Sequence, residues 1–130
     1  MAITLRKGRE ADAAAAGAVC YQAFKTIAEA HNFLPDLPSP EIAAGLLSGL
    51  IAHERFFDIV AEIDGRIVGS NFLDERNPIG GIGPITVDPV LQNAKVGRAL
   101  MEAVMERARE RGFVGMRLLQ AGYHNRSLAL

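Results

Sequence analysis

A chain of 130 residues, 49% apolar and 22% charged, has the length and composition of one folded domain, able to bury about two-thirds of the surface its unfolded chain exposes. A net charge of −1 excludes the clustered basic excess that nucleic-acid binding requires, and a single cysteine, Cys20, excludes an intrachain disulfide. No apolar run approaches the ~20 residues of a membrane span, and residues 1–7 lack the apolar core of a signal peptide. A soluble cytoplasmic protein with no nucleic-acid or membrane partner and no metal site is therefore expected.

Ile3 and Leu5 alternate with Thr4 and Arg6, which predicts a first strand. Asp12 offers an N-cap to an Ala-rich helix whose apolar stripe is Ala16, Val19, Cys20, Ala23, Phe24 and Ile27. The pattern fades near His31. Three prolines within residues 33–40 make a loop, and Ser39-Pro40 then opens a second helix with Ile42, Leu46, Leu50 and Ile51 on its expected buried face. Residues 57–63 and 66–73 read as two strands joined at Asp64-Gly65, a two-residue turn that tolerates φ > 0. A Gly/Ile-rich segment, 79–83, leads into a short apolar strand. Pro84 cannot donate to a sheet ladder, so that strand needs a bulge or a gap there.

Ile85-Thr86-Val87, the turn Asp88-Pro89, a small-residue loop and an amphipathic helix follow in that order. Val96, Leu100, Val104 and Ala108 form the inner face of the helix, flanked by Met101 and Met105, and Gly112 is its expected C-cap. A strand over 113–119 completes the order β-α-α-β-β-β-α-β, with hairpin-linked strands first and a right-handed βαβ crossover last. Strand, loop and helix start together make an anion site, because unpaired N–H groups and the positive end of the helix dipole point out of the first turn. The loop lacks the Gly-Lys-Ser/Thr end of a nucleotide P-loop and the Gly-x-Gly-x-x-Gly spacing of a dinucleotide fold.

At residues 85–100 the chain resembles the acyl-CoA-binding motif of the GNAT family of N-acetyltransferases. There a strand ending in Val-Asp-Pro is followed by Gln/Arg-x-x-Gly-x-Gly/Ala and a helix. Gln92 and Gly97 match, and Lys95 stands in place of the first glycine. The hairpin, the order of elements and the ending His-Asn-Arg-Ser-Leu-Ala-Leu fall in the same sequence order as in that family, so the resemblance covers nearly the whole chain. It implies an α/β (α+β) GNAT-like acyl-CoA N-acyltransferase fold with a mixed sheet, a single domain over residues 1–130, C-terminally truncated. The tyrosine that protonates the leaving thiolate in many members, and the last two strands, would lie past Leu130.

The resemblance further implies an N-acetyltransferase that moves an acetyl group from acetyl-CoA to an amine of a small molecule or peptide. The alternative is a non-catalytic CoA-binding or regulatory module of the same fold. Acetyl-CoA would lie where the fourth and fifth strands splay apart. The backbone of Ile85, Thr86 and Val87 would run beside the pantetheine. The backbone N–H groups of Asn93, Ala94, Lys95, Val96, Gly97 and Arg98 would cradle the pyrophosphate, Gln92 would belong to the same cofactor site, and His124 or Asn125 would bond the pantetheine. Lys95 carries two readings: a cost of about 1 kcal/mol if its position requires φ > 0, or a point charge for phosphate.

The reaction needs a base for the ammonium and donors for the oxyanion and the thiolate. An N–H near Val87 would serve the oxyanion. Glu75, Asp74 and Glu62 stand as carboxylates for the base, against a plainer role as solvated strand-end charges. Tyr123 and His124 stand as proton donors, against a loop-surface role. Phe33, Leu34 and Leu37 would line the acceptor pocket or anchor their loop. The exposed fifth strand is a template for a homodimer.

Overall fold

The computed structural model describes residues 2–91 and 95–119. Six strands form one mixed, mostly antiparallel sheet with helices on both faces. In chain order the elements are β1 (Thr4–Arg6), α1 (Ala13–Ala30), α2 (Pro40–Ala52), β2 (Phe56–Ile63), β3 (Arg66–Asp74), β4 (Ile79–Ile82), β5 (Thr86–Val87), α3 (Val96–Arg111) and β6 (Gly115–Leu118). The expected element order stands, with one refinement. The segment 79–87 is two strands rather than a lead-in and one strand, because Pro84 interrupts the ladder.

The sheet order is β1-β2-β3-β4-β6, with β5 also paired to β3. The β2–β3 hairpin turns at Asp64 (φ 53°) and Gly65 (φ 76°), the double positive φ that suits the twist of the flanking strands. Its register slips by one at Ala61/Glu62, leaving Val68 as the extra residue of a bulge. β6 runs parallel to β4, with Ile79 opposite Gly115 and Ile82 opposite Leu118. Phe72 and Leu73, consecutive on β3, point to opposite layers. Phe72 packs with Ala16, Cys20, Ala43 and Leu47 of α1 and α2, and Leu73 packs with Val104 and Ala108 of α3.

Two local expectations are corrected. Asp12 does not cap α1 with its side chain. Its carboxylate instead accepts from the Arg9 amide at 2.7 Å, closing a 3-10 turn over Glu10–Asp12, and takes both ends of the Arg6 guanidinium at 2.8 and 2.9 Å. Arg6 also pairs with Glu62, so β1, β2 and the start of α1 share one ionic knot. Second, Ile42 and Leu46 of α2 are 54% and 44% exposed, while Ala43 and Leu47 are buried. Every side chain from Ile42 to Ala52 except Ser48 and the glycines is apolar, so periodicity could not choose the face. Size chose it, since α1 approaches so closely that a Cβ on Gly17 would lie 2.5 Å from the Ala44 Cα.

The Arg6 hydrogen bonds, more than the Arg9 amide, hold the Asp12 carboxyl at about 2, down from the ordinary 3.8, against the opposing effect of burial. A carboxyl depressed by folding stabilises above its unfolded value and loses that contribution as pH falls toward the folded one. Between pH 4 and 2 the protein is therefore expected to lose roughly 2 kcal/mol through Asp12 alone. Urea unfolding at pH 5, 3 and 2 checks this, and Asp12→Asn should flatten that acid limb while lowering stability at pH 7.

Candidate functional site

The edge of β3 that faces β4 carries two partners in succession. Leu73 and Asp74 pair with Ile82 and Gly81 of β4, and Gly69 and Ser70 pair with Val87 and Thr86 of β5. Between these pairs, Asn71 and Phe72 of β3 face three residues, 83–85, so the extra residue forms the gap that Pro84 requires. The Gly83 amide still donates to the Phe72 carbonyl at 2.8 Å. Gly83 has φ 114°, a region that L side chains rarely enter, and its bond to Pro84 is cis. The Phe72 amide faces the same edge and has lost its ladder partner; the Asn71 side-chain oxygen accepts it at 2.9 Å. The Asn71 amide nitrogen in turn donates to the Leu100 carbonyl of α3 at 3.3 Å. Asn71 thus repairs the gap and ties it to α3. A lone Asn inside the strand was the sequence signal for it, and a strand assigned from its Asp64-Gly65 turn carries no information on that position.

Among the described residues, β6 follows β4 as far as Ile82 and no strand pairs with the far edge of β5. The Asp88 amide donates to the Val68 carbonyl at 2.8 Å, so antiparallel alternation turns the N–H and C=O of Val87 toward that open edge. Val87 thus presents main-chain groups at the edge where the sequence predicts the strands to splay.

α3 starts beside this edge, where its Val96 and Leu100 share a core cluster with Val87, Val68 and Ala61. The residue before it, Lys95, sits in the left-handed region at φ 67° and ψ 14°. That conformation is the one in which glycine is at ease, and Lys95 holds it at a cost of about 1 kcal/mol. The first intrahelical bond runs from the Ala99 amide to the Lys95 carbonyl at 3.1 Å, so the amides of Val96, Gly97 and Arg98 have no acceptor within the helix. The first turn holds no acid, and Lys95 and Arg98 are exposed there. Helix dipole and two cations add with nothing among the described residues of that turn to offset them, so the local potential there is positive. α2 differs in having Glu41 in its first turn.

On the opposite face of β5 the Thr86 side chain lies under α1 beside Cys20. Burial pushes the Cys20 thiol up to about 11, with Thr86 offsetting part of the rise. That contact is too weak to satisfy Thr86, and its hydroxyl and the neighbouring Ser70 hydroxyl are buried without a hydrogen-bond partner among the described residues.

Ile85, Val87 and Val96 thus meet in one core cluster, and Lys95, Gly97 and Arg98 adjoin them at the start of α3, whereas Thr86 turns its side chain to α1 and its main chain to β3. Gln92, Asn93, Ala94, Tyr123, His124 and Asn125 lie outside the described residues. Glu75 sits just past the end of β3, and its buried carboxylate takes the Arg107 guanidinium of α3 in a fork at 2.7 and 3.1 Å. Hydrogen bonding to Glu75 raises the Arg107 pKa, and Arg107 also covers the Phe57 ring at 5.0 Å. Asp74 is held below its usual range by hydrogen bonds from Arg76, and Glu62 is held by Arg6. Phe33 and Leu34 are exposed, while Leu37 packs against the α1–α2 core. No group of metal-ligating side chains is present among the described residues, and no described helix is long and apolar enough to cross a membrane.

The family model described as the acetyltransferase (GNAT) family matches residues 20–130. Solved structures share the architecture. The PaiA N-acetyltransferase of Thermoplasma acidophilum, in complex with coenzyme A, is 17% identical with a TM-score of 0.78, covering 91% of this chain and 79% of that one. A GNAT family acetyltransferase of Brucella melitensis, in complex with acetyl-CoA, is 26% identical with a TM-score of 0.71, over 96% and 80% of the two chains. The glucosamine-6-phosphate N-acetyltransferase of Arabidopsis thaliana is 15% identical with a TM-score of 0.61, over 95% and 86%. No curated protein matches the chain in sequence.

Proposed function

The chain belongs to the GNAT family of acetyltransferases, and from that premise we propose that it is an N-acetyltransferase that transfers the acetyl group of acetyl-CoA to an amine of a small molecule or a peptide. The observation that carries this reading is a helix start whose amides, dipole, Lys95 and Arg98 all favour negative charge, set beside the outward-turned main chain of Val87. The diphosphate of CoA sits at that helix start, and the pantetheine runs along the main chain of Ile85 to Val87 as an added strand. The thioester carbonyl then reaches the Val87 amide.

The amine, once deprotonated, attacks the thioester carbon. Nitrogen gains the carbon–nitrogen bond, and the electron pair moves to an oxyanion that the Val87 N–H stabilises. Collapse breaks the carbon–sulfur bond. CoA leaves as thiolate and takes a proton, while the acylated nitrogen gives one up. The buried Thr86 and Ser70 hydroxyls lie one layer away, on the α1 side of the same rung.

A second reading, a CoA-binding module without turnover, draws on the carboxylates. Glu62, Asp74 and Glu75 are each held by an arginine and so are poorly placed to take a proton from substrate.

Calorimetric titration with CoA and acetyl-CoA, followed by thiol release against a panel of amines, separates the readings. Acetyl-CoA should bind and an amine should release thiol. Binding without release selects the module, and no binding overturns both. Lys95→Gly sharpens the result. It is expected to raise folding stability by about 1 kcal/mol by relieving the left-handed backbone, and to weaken CoA binding several-fold by removing a cation from the diphosphate.

A further inference from the structure

Asn71 is a wholly buried polar side chain in the apolar layer between β3 and α3. Gly69 and Leu73 flank it on that face of the strand, and Val96, Leu100 and Val104 of α3 lie over them. An amide in such a layer has lost its hydration and must recover the loss through directed bonds. It makes two. Its oxygen accepts the Phe72 amide at 2.9 Å, and its nitrogen donates to the Leu100 carbonyl at 3.3 Å. One neighbour needs an acceptor and the other a donor, so the amide fits in one orientation alone. Apolar contacts let a helix slide along a sheet, whereas a directed buried bond fixes its register. Among the described residues the other polar tie from this strand to α3 is the fork of Glu75 on Arg107, about two turns further along the helix. Gly69 supplies the second constraint. A Cβ there would lie 2.8 Å from the Thr86 carbonyl oxygen, 3.0 Å from Leu100 Cδ1 and 3.4 Å from Val96 Cγ1. The missing side chain seats the first turn of α3 on the rung where Gly69 pairs with Val87. Gly69 sets how closely the helix approaches, and Asn71 sets where along the strand it stops.

We propose, resting on the path for acetyl-CoA given above, that Asn71 is a positioning residue: it fixes the span from the start of α3 to the Val87 amide and so places the thioester carbonyl on that amide. The cofactor is held at one end by its diphosphate and reacts at the other, and the arm between has a set length. A slip of α3 along β3 leaves the diphosphate bound and carries the thioester past the Val87 N–H. A misplacement of about 1 Å at a reacting centre is enough to cost most of the rate. Asn71 touches neither cofactor nor amine. It acts through the Leu100 carbonyl, one turn into α3 from Val96, and through the Phe72 amide at the break between β4 and β5.

Asn71→Leu in the whole chain tests it, since leucine replaces the amide heavy atom for heavy atom and makes neither bond. Asn71→Ser, which adds no bulk, serves if the leucine variant does not fold. Below the variant's own thermal midpoint, its calorimetric Kd for CoA and its KM for acetyl-CoA should stay within about threefold of the unsubstituted chain, while kcat falls at least tenfold. In isotope-labelled protein the Val87 amide resonance should move further with acetyl-CoA than with CoA, and in the variant it should move equally with both. Val104→Ala, in the same layer, should lower the thermal midpoint and alter neither readout. A variant with unchanged kcat and Val87 shifts overturns the proposal. So does a loss that falls wholly on CoA affinity, or one that Val104→Ala reproduces, which would make Asn71 a residue of stability alone. The Val87 resonance reads the span without turnover. A chain that shows the acetyl-dependent shift but releases no thiol therefore sinks the transfer reading and upholds the span, whereas a chain that releases thiol without that shift does the reverse. A chain that binds neither ligand overturns both.

Discussion

Gly17→Val is expected to abolish the cooperative thermal transition, and Gly17→Ala to lower stability by about 2–3 kcal/mol. A Cβ at position 17 would lie 2.5 Å from the Ala44 Cα and 2.6 Å from its nitrogen. Both are main-chain atoms of a helix, so no rotamer change relieves the overlap, and α2 itself must retreat. Its retreat opens the cluster of Ala16, Cys20, Ala43, Leu47 and Phe72, the whole interior of that layer. Alanine normally gains about 1 kcal/mol over glycine inside a helix, so a net loss at position 17 isolates the cost of the crossing. Circular dichroism melting of the two variants, with Gly45→Ala as the reference substitution in the same helix pair, checks both sign and size.

Glu75→Gln is expected to lower stability by about 2–3 kcal/mol, or roughly 10 °C in the thermal midpoint, while leaving the pH profile of acetyl transfer unchanged at a permissive temperature. The carboxylate is buried, forks onto Arg107 and lies 4.0 Å from Arg111, so it joins the end of β3 to two turns of α3. Neutralising it leaves the Arg107 guanidinium half-buried over Phe57 without its counter-charge. A proton-accepting Glu75 would behave in the opposite way, with an intact melting curve and a lost basic limb in the rate profile. Thermal melting and kcat/KM against pH on one preparation distinguish the two.

Much of this architecture was legible because several local signals agreed. Asp64-Gly65 fixed the hairpin, Ser39-Pro40 the start of α2, where the Ser39 hydroxyl accepts the Ile42 amide at 3.2 Å, and Gly112 the end of α3, at φ 71°. The four inner positions of α3, Val96, Leu100, Val104 and Ala108, are all buried, because charged neighbours left only one apolar stripe. Pro84 announced the break in the ladder through its missing donor. What stayed hidden were choices between equivalents. An almost wholly apolar α2 offers no preferred side, so its inward face was settled by the fit of Gly17 on Ala44. Asp12 was assigned a cap and became an ion-pair partner, since the Arg6 guanidinium comes from a strand that only the folded sheet brings near. Beside β5, the succession of strand, turn and helix start was legible from the motif. The left-handed turn at Lys95 and the role of Asn71 are properties of backbone geometry, and a side-chain pattern carries little of either.

The jaw of the opening is set by main chain. One strand, β3, grips β4 and β5 in turn, and the residue between them that cannot donate fixes where they part. The parting therefore belongs to the scaffold, held from behind by the bond from Asn71 to the Leu100 carbonyl. Side chains around that parting can be exchanged while the main chain keeps it in place.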